Sequence, residues 1–283
     1  MEQFNILVVR PPDGSSFHHA YTGLAAILGA ALKRLGYPTR FGENEIIRDA
    51  TNIVVGAQCL EPELVDELPA NTIIYNTEMV LRSSPFLATL TAFVGRFETW
   101  DYSERNVRAW RDLGISARVR WLRPGYLPES TTIDPATPTD IDVLFYGHVN
   151  ARRRAILDQL AREQVRTYVL QNTYGRARDA YIARAKIVLN LHATDEAVFE
   201  IVRAAEVLAN HRLLVSEGGD TDSVEDLRDG MVLGDARELP RLCRLFLDDE
   251  TRRKTLAERG FELFSRRDFV AMLAGALAER RVS

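Results

Sequence analysis

Short, nearly continuous apolar runs recur along the chain, and each is followed by a polar or glycine-containing loop. The first three are NILVVR (Asn5–Arg10), NIVVGAQ (Asn52–Gln58) and NTIIYNTE (Asn71–Glu78). A strand that is apolar at successive positions must be buried on both faces, which is typical of a parallel sheet covered by helices. Apolar residues recur at helical spacing over Leu24–Leu35, and Gly36 then ends the predicted helix. The pattern predicts an α/β fold.

The strand–helix alternation occurs twice, with a break between the two series. The break, LPESTTIDPATPTDI (Leu127–Ile141), is rich in Pro, Thr and Asp and has no apolar periodicity, so it predicts a linker. With 283 residues, the chain is long enough for two α/β domains. We predict domains at 1–127 and 141–265, a linker at 128–140, and a C-terminal helix within 266–283 that packs back on the first domain.

Composition bounds the function classes. The formal net charge is -4, which does not favour a general nucleic-acid binder but leaves room for a local basic pocket. The two cysteines, Cys59 and Cys243, lie far apart, which argues against a zinc or disulfide framework. The N-terminal residues do not resemble a signal peptide, and no apolar run is long enough to span a membrane. A cytoplasmic protein of open oligomeric state is expected.

The stretch FYGHVNARRRAIL (Phe145–Leu157) places three arginines where a predicted strand meets a helix. Gly147 allows a ligand to approach the backbone, and a helix N-terminus attracts anions. Arg152 and Arg153, with Asn150, therefore form a candidate phosphate site, and Arg154 is expected to face solvent. A solvated helix end with outward salt bridges remains the simpler alternative.

Polar residues also follow two later strands. Asn190 and His192 end the strand KIVLNLH, and the helix predicted after it carries Glu196, Glu200 and Arg203. Such a cluster suits a ligand with several hydroxyl groups, because carboxylates accept hydrogen bonds from hydroxyl pairs. A charged outer helix face with an internal Glu200–Arg203 pair is the alternative. Tyr174, in the loop before another helix, could stack on a base or sugar ring, or be an ordinary half-buried turn residue.

Candidate proton acceptors lie in the first half of the chain. Asp13, His18 and His19 follow the first predicted strand, and Glu78 follows the third. Histidine and glutamate can remove a proton from a hydroxyl near neutral pH. A structural role for each histidine is equally consistent with the pattern.

Further along, AFVGRFETWDYSERNVRAW predicts strand-like residues and then a helix from Tyr102 to Leu113, capped by Ser103.

The motifs NILVVRPP, IIYNTE, RPGYLPE, DVLFYGHVNARRRAIL, YIARAKIVLNLH and FEIVRAAEVLANHRLLVSE stand in an order that resembles bacterial GT-B glycosyltransferases. The resemblance implies two Rossmann-like, doubly wound domains facing a cleft. The C-terminal domain would bind a nucleotide-sugar donor and the N-terminal domain an acceptor. Gly147, Asn150, Arg152 and Arg153 would then lie beside the diphosphate. Asn190, His192, Glu196 and Glu200 would lie near the sugar and ribose.

The resemblance also implies an activity, which is sugar transfer from a nucleoside-diphosphate sugar to a hydroxyl without a metal ion or further cofactor. His18 or His19 would be the base if the reaction inverts. Retaining members often carry two glutamates about two helical turns apart. Glu196, Glu200 and Glu206 lack that spacing, and Asn210 stands where glycine is usual, so both stereochemical outcomes stay open.

The acceptor is undetermined by these motifs: a glycan, a lipid-linked glycan, a metabolite, a protein or a nucleic acid are all compatible. Two other activities share the donor loop. A nucleotide-sugar epimerase needs no acceptor pocket, and a non-catalytic nucleotide-sugar-binding protein needs no base.

Overall fold

The computed structural model describes residues 2–115, 118–196, 199–219 and 222–280. It divides the chain into two compact units, one formed by residues 1–124 with 269–283 and the other by residues 125–268. The segment predicted as a linker, 128–140, is part of the second unit. Thr131 donates to the carbonyl of Ala209 (2.8 Å), and the amide N–H of Thr132 donates to the Asn210 side chain (2.8 Å).

The described residues form strands and helices that alternate along most of the chain. The strands are β1 Phe4–Val8, β2 Thr39–Glu43, β3 Thr51–Val55, β4 Ile73–Asn76, β5 Glu98–Asp101, β6 Val119–Trp121, β7 Ile141–Tyr146, β8 Thr167–Leu170, β9 Ala185–Asn190, β10 Leu213–Glu217 and β11 Val232–Gly234. The α-helices are α1 Thr22–Arg34, α2 Leu87–Arg96, α3 Glu104–Asp112, α4 Ala151–Arg162, α5 Gly175–Arg184, α6 Ile201–Ala209, α7 Leu239–Asp248, α8 Glu250–Ser265 and α9 Phe269–Arg280.

In the first unit, six parallel strands lie in the order β2-β1-β3-β4-β5-β6. Strands β1, β3 and β4 are buried at every position, as their continuous apolar sequences predict. Helix α9 returns to this unit and packs against α1. Ion pairs hold its end, because Arg280 contacts Glu2 (2.7 Å) and Glu279 contacts Arg120 (2.6 Å).

In the second unit, five parallel strands lie in the order β11-β10-β9-β7-β8. Aliphatic side chains of β7, β9 and β10 form the core with residues of α4 and α7, among them Val143, Ile187, Val215, Leu160 and Phe246. The prediction of two parallel-sheet α/β domains is confirmed. None of the described helices is both long and apolar enough to cross a membrane.

The strand orders determine where a ligand would bind. In the first unit the order reverses between β1 and β3, and in the second between β7 and β9. Each of these two positions is called a switch point below. The connections from neighbouring strands leave in opposite directions there, which opens a crevice at the carboxyl ends of the strands. The loops after β1, β3, β7 and β9 are therefore the ones that border a candidate site.

Three local predictions need correction, and one is confirmed. Strand β2 was not predicted. The stretch predicted to hold strand-like residues before α3 does contain β5, but its first residues, Ala92–Arg96, belong to α2. Helix α6 begins at Ile201, so Glu196 lies in a turn before it and Glu200 stands at its N-cap, whereas Arg203 is on the helix as predicted. Ser103 does cap α3, because its side chain accepts a hydrogen bond from the Asn106 N–H.

Candidate functional site

The loop between β7 and α4 contains the glycine and asparagine predicted to border a phosphate. Gly147 has a φ of +132°, a backbone conformation that residues other than glycine rarely adopt. Asn150 caps α4 by accepting a hydrogen bond from the Arg153 N–H (2.9 Å). Its amide group donates to the carbonyl of Ala193 (2.7 Å), beyond the end of β9. The helix N-terminus is thereby fixed beside the carboxyl end of the neighbouring strand.

Arg153 is buried and binds groups of the protein itself. Its guanidinium donates two hydrogen bonds to the carbonyl of Leu191 (3.0 and 2.7 Å) and one to the carbonyl of His148 (2.9 Å). It also contacts Glu200 at 2.5 Å. Burial lowers the pKa of Arg153 from its usual value. Arg153 therefore joins the loops that follow β7 and β9, whereas Arg154, the next residue, is exposed.

Arg152 is only partly buried and binds two carboxylates. Its terminal nitrogens form a bidentate pair with Glu217 at the end of β10 (2.9 and 2.7 Å), and its Nε contacts Asp195 at 2.5 Å. Hydrogen bonding to Glu217 raises the pKa of Arg152 above its usual value. The Glu217 side chain is 5% exposed, whereas that of Asp195 is 88% exposed. The contact with Asp195 is therefore the one that an incoming anion displaces at lower cost.

Glu200 lies between two arginines immediately before α6. One carboxylate oxygen contacts Arg153, and the other contacts Arg203 at 2.5 Å. Arg203 also donates to the side chain of Asn190 and lies over the ring of Tyr146, with 5.1 Å between the guanidinium carbon and the ring centroid. Glu200 thus neutralises part of the positive charge at this edge of the sheet and fixes both guanidinium groups.

His192 carries a ring nitrogen with no hydrogen-bond partner among the described residues. Its Nε2 lies 2.7 Å from the carbonyl of Gly218, and its Nδ1 is buried and unpartnered. Because a carbonyl oxygen only accepts hydrogen bonds, Nε2 must carry the proton, and Nδ1 of the neutral ring keeps its lone pair. The backbone N–H of His192 donates to Glu217 (2.7 Å). The ring therefore offers an acceptor for a hydroxyl beside the switch point.

These contacts join most of the predicted binding residues at one edge of the sheet. The joined residues are Gly147, Asn150, Arg152, Arg153, Asn190, His192, Glu200 and Arg203. Glu196 is exposed in the turn before α6, and Tyr174 is half-buried at the N-terminus of α5.

Two acidic residues of the second unit that bind arginines, the buried Glu217 and the half-buried Glu206, were not predicted as site residues. Glu217 binds Arg152, and Glu206 on α6 accepts hydrogen bonds from Tyr146 (2.9 Å) and Arg178. Burial raises the pKa of Glu206. The sequence does contain a signal for Glu217, because this charged residue ends the predicted strand RLLVSE, as Asn190 ends its strand.

The first unit holds the predicted proton acceptors in two separate groups. His18 and His19 lie in a short 3-10 helix after β1, with 4.0 Å between their ring centroids. His18 is 3% exposed, whereas His19 is exposed. Asp13 is exposed in the same loop, and its carboxylate accepts a hydrogen bond from the Ser15 N–H (2.9 Å). That hydrogen bond lowers the pKa of Asp13.

Glu78 belongs to a second polar group after β4. Its carboxylate accepts hydrogen bonds from Tyr21 (2.8 Å) and from Gln58 (3.1 Å). Its backbone N–H donates to Asn76, whose amide group in turn donates to Asp101 (2.7 Å).

Asp101 is fully buried and was not predicted as a site residue. It accepts four hydrogen bonds, from the side chains of Asn76, Asn106 and Trp110 and from the backbone of Ser103. Burial raises the pKa of Asp101 to about 7. The network fixes the backbone on which Glu78 stands.

Replacing Gly147 with alanine is expected to lower the free energy of unfolding by about 1–3 kcal/mol, because φ would remain in a strained region. The added Cβ would also lie 3.1 Å from Nη2 of Arg203. Chemical denaturation measures this change. Gly95→Ala in α2 is the matched control, because no atom lies within 4 Å of its added Cβ. Equal stabilities of the two variants would contradict the assignment of strain to Gly147.

No family model matches the chain. Two uncharacterized proteins of Acanthamoeba polyphaga mimivirus are similar to it. L140 is 26% identical over 188 residues, which is 66% of this chain and 61% of L140. L138 is 32% identical over 94 residues, which is 32% of this chain and 11% of L138. The chain thus spans less than two thirds of the length of either relative.

Solved structures match nearly the whole chain. AviGT4, a glycosyltransferase involved in avilamycin A biosynthesis, has a TM-score of 0.65 at 11% identity and covers 98% of this chain and 97% of its own. An alpha-glucosyltransferase in complex with UDP and a 13-mer DNA containing an HMU base has a TM-score of 0.64 at 9% identity, with 98% of each chain covered. A Rickettsia africae glycosyltransferase has a TM-score of 0.54 at 10% identity, covering 99% and 98%. The fold matches that of GT-B glycosyltransferases.

Proposed function

We propose that this protein transfers a sugar from a nucleoside-diphosphate sugar to an acceptor hydroxyl. The observation that carries the proposal is the switch point between β7 and β9. A glycine loop, the N-terminus of α4 and the side chains of Arg152 and Arg203 meet there, beside the polar residues Asn190 and His192. The match to glycosyltransferase folds supports the proposal, and two of the matching structures, an alpha-glucosyltransferase and TarM, were solved with UDP.

The cationic groups would stabilise the negative charge of the leaving group. In the reaction, the bond from the anomeric carbon to the diphosphate oxygen breaks, and a bond to the acceptor oxygen forms. Negative charge develops on the departing nucleoside diphosphate. The first-turn N–H groups of α4 and the guanidinium of Arg152 are preorganised donors for that charge. Arg152 would keep its bidentate pair with the buried Glu217 and exchange the exposed Asp195 for a phosphate oxygen.

The polar groups of β9 and α6 would bind the sugar and ribose. His192 offers its Nδ1 lone pair, and Glu200 offers carboxylate oxygens fixed by two arginines. A base would take the acceptor proton if the reaction inverts. We propose His19 for this role, with His18, Asp13 and Glu78 as the other candidates. The carboxylate of Glu78 already accepts hydrogen bonds from Tyr21 and Gln58, which fix its position.

The arginines and the helix N-terminus would meet the diphosphate charge without a divalent ion. We therefore propose that transfer needs no metal and no further cofactor, and that activity persists in EDTA. The acceptor is proposed by chemical class alone, as a hydroxyl-bearing molecule.

The proposal is tested by incubating the protein with a panel of nucleotide sugars and measuring release of nucleoside diphosphate. We expect slow hydrolysis of one donor, and faster release when a matching acceptor is added from a panel of glycans, lipid-linked glycans, metabolites, proteins and DNA. Interconversion of the sugar without release would replace the proposal with an epimerase. Thermal stabilisation by nucleotide without turnover would replace it with a binding protein.

A further inference from the structure

We propose that His18, His19 and Glu43 form a binding site for a borderline divalent transition-metal ion such as Zn²⁺. Each of the three side chains offers one ligand atom, and these atoms lie within 4.8 Å of one another. Of the described residues, this is the one group of three or more His, Cys, Asp or Glu side chains with that spacing. All three residues belong to the first unit.

The hydrogen bond of His18 prepares its ring for a metal ion. His18 Nδ1 lies 3.1 Å from the carbonyl of Ser15, so Nδ1 must carry a proton, and in the neutral ring Nε2 is the nitrogen with the lone pair. Ligating histidines commonly donate their other ring N–H to a backbone carbonyl, which fixes the tautomer and the orientation of the ring. His18 is 3% exposed, so the surrounding structure also holds this ring in place. Oε1 of Glu43 lies 4.0 Å from His18 Nε2.

The distances suit an ion between the ligands better than a direct contact between them. At 4.0 Å, His18 Nε2 and Glu43 Oε1 are too far apart for a hydrogen bond. Zinc takes nitrogen and oxygen ligands at about 2.0–2.2 Å, so two tetrahedral ligands are roughly 3.4 Å apart. The exposed side chains of His19 and Glu43 can close the remaining gap by rotation, whereas His18 stays fixed.

The ligand types select the class of ion. Two imidazoles with one carboxylate favour zinc and similar transition metals, whereas calcium and magnesium prefer sites made of oxygen ligands. Three protein ligands leave a fourth position for water, as in open zinc sites rather than closed structural ones. A bound ion would occupy the lone pair of His19. If His19 is the base of the proposed transferase, which is a separate assumption, the ion would inhibit transfer and EDTA would restore it.

The test is calorimetric titration of the full, tag-free, EDTA-stripped chain with Zn²⁺. We expect one ion per chain, with affinity reduced about 10-fold or more in His19→Gln and in Glu43→Gln. Both side chains are exposed, so these variants should fold normally, which thermal unfolding would verify. The matched control is Glu258→Gln, because Glu258 also contacts a histidine, with 2.8 Å between its Oε2 and Nδ1 of His211. This control should bind Zn²⁺ as the wild type does.

Three results would overturn the proposal: no Zn²⁺ binding by the wild-type chain, unchanged affinity in Glu43→Gln, or unchanged affinity in His19→Gln. Titration with Co²⁺ gives a second readout, because its visible absorption bands report coordination directly and should be lost in both ligand variants. The binding result does not depend on the transferase activity. A chain that binds Zn²⁺ but transfers no sugar would therefore retain this site while the proposed function failed.

Discussion

Replacing Arg153 with alanine is expected to lower the free energy of unfolding by about 3–5 kcal/mol, because it breaks a buried ion pair from one side. Glu200 would lose one of its two arginines, and the carbonyls of Leu191 and His148 would lose their donors. We also expect nucleoside-diphosphate binding to weaken by about 10-fold or more, equal to about 1.4 kcal/mol. His19→Ala should affect that binding far less. Chemical denaturation and calorimetry measure the two effects.

Arg153→Lys separates two ways in which Arg153 could act. Lysine keeps the charge but cannot reproduce the forked hydrogen bonds to Leu191, His148 and Glu200. Rescue of nucleotide affinity by lysine would mean that Arg153 acts by its charge on the diphosphate. Loss of both stability and affinity would mean that it positions the two loops, which is the result we expect from its contacts. The control is Arg154→Ala, because Arg154 is the next residue and is exposed. This variant should change the free energy of unfolding by less than about 0.5 kcal/mol.

The sequence predicted those parts of the fold whose local pattern agrees with their burial. Strands β1, β3 and β4 are continuous apolar runs, and they are buried at every position. Strand β2 lies at the edge of its sheet and is only partly buried, so its sequence TRFGE lacks that signal. Helix α2 contains Thr, Phe and Val, which favour strands locally, but its apolar face packs on the sheet. Tertiary packing decided both cases.

The site shows a similar division. The arginine-rich loop and the polar residues at the end of β9 could be predicted from the sequence, because each group lies within one short stretch. The partner of Arg152 could not be predicted, because Glu217 is 65 positions away in the sequence and is brought close by the parallel strand order. A strand-to-loop pattern shows which side chains reach the edge of a sheet. It does not show which of those side chains neutralise each other.

The largest expected effect on activity is that of His19→Ala. If His19 removes the acceptor proton, its loss should lower the rate of sugar transfer by about 100-fold or more, because general bases contribute factors of that size. Donor binding should be unchanged, because the arginines and the α4 N-terminus that would bind the diphosphate are in the other unit. Transfer rates measured in EDTA, together with calorimetry for the nucleoside diphosphate, would separate the two quantities.

Glu78→Gln is the informative comparison for that experiment. Glutamine keeps an oxygen to accept the hydrogen bonds from Tyr21 and Gln58 but cannot accept a proton. If His19 is the base, Glu78→Gln should retain most of the transfer rate while His19→Ala loses it. The reverse result would assign the base to Glu78, in which case Tyr21 and Gln58 would orient the catalytic carboxylate. An unchanged rate in His19→Ala would remove this histidine from the mechanism, whatever its part in metal binding.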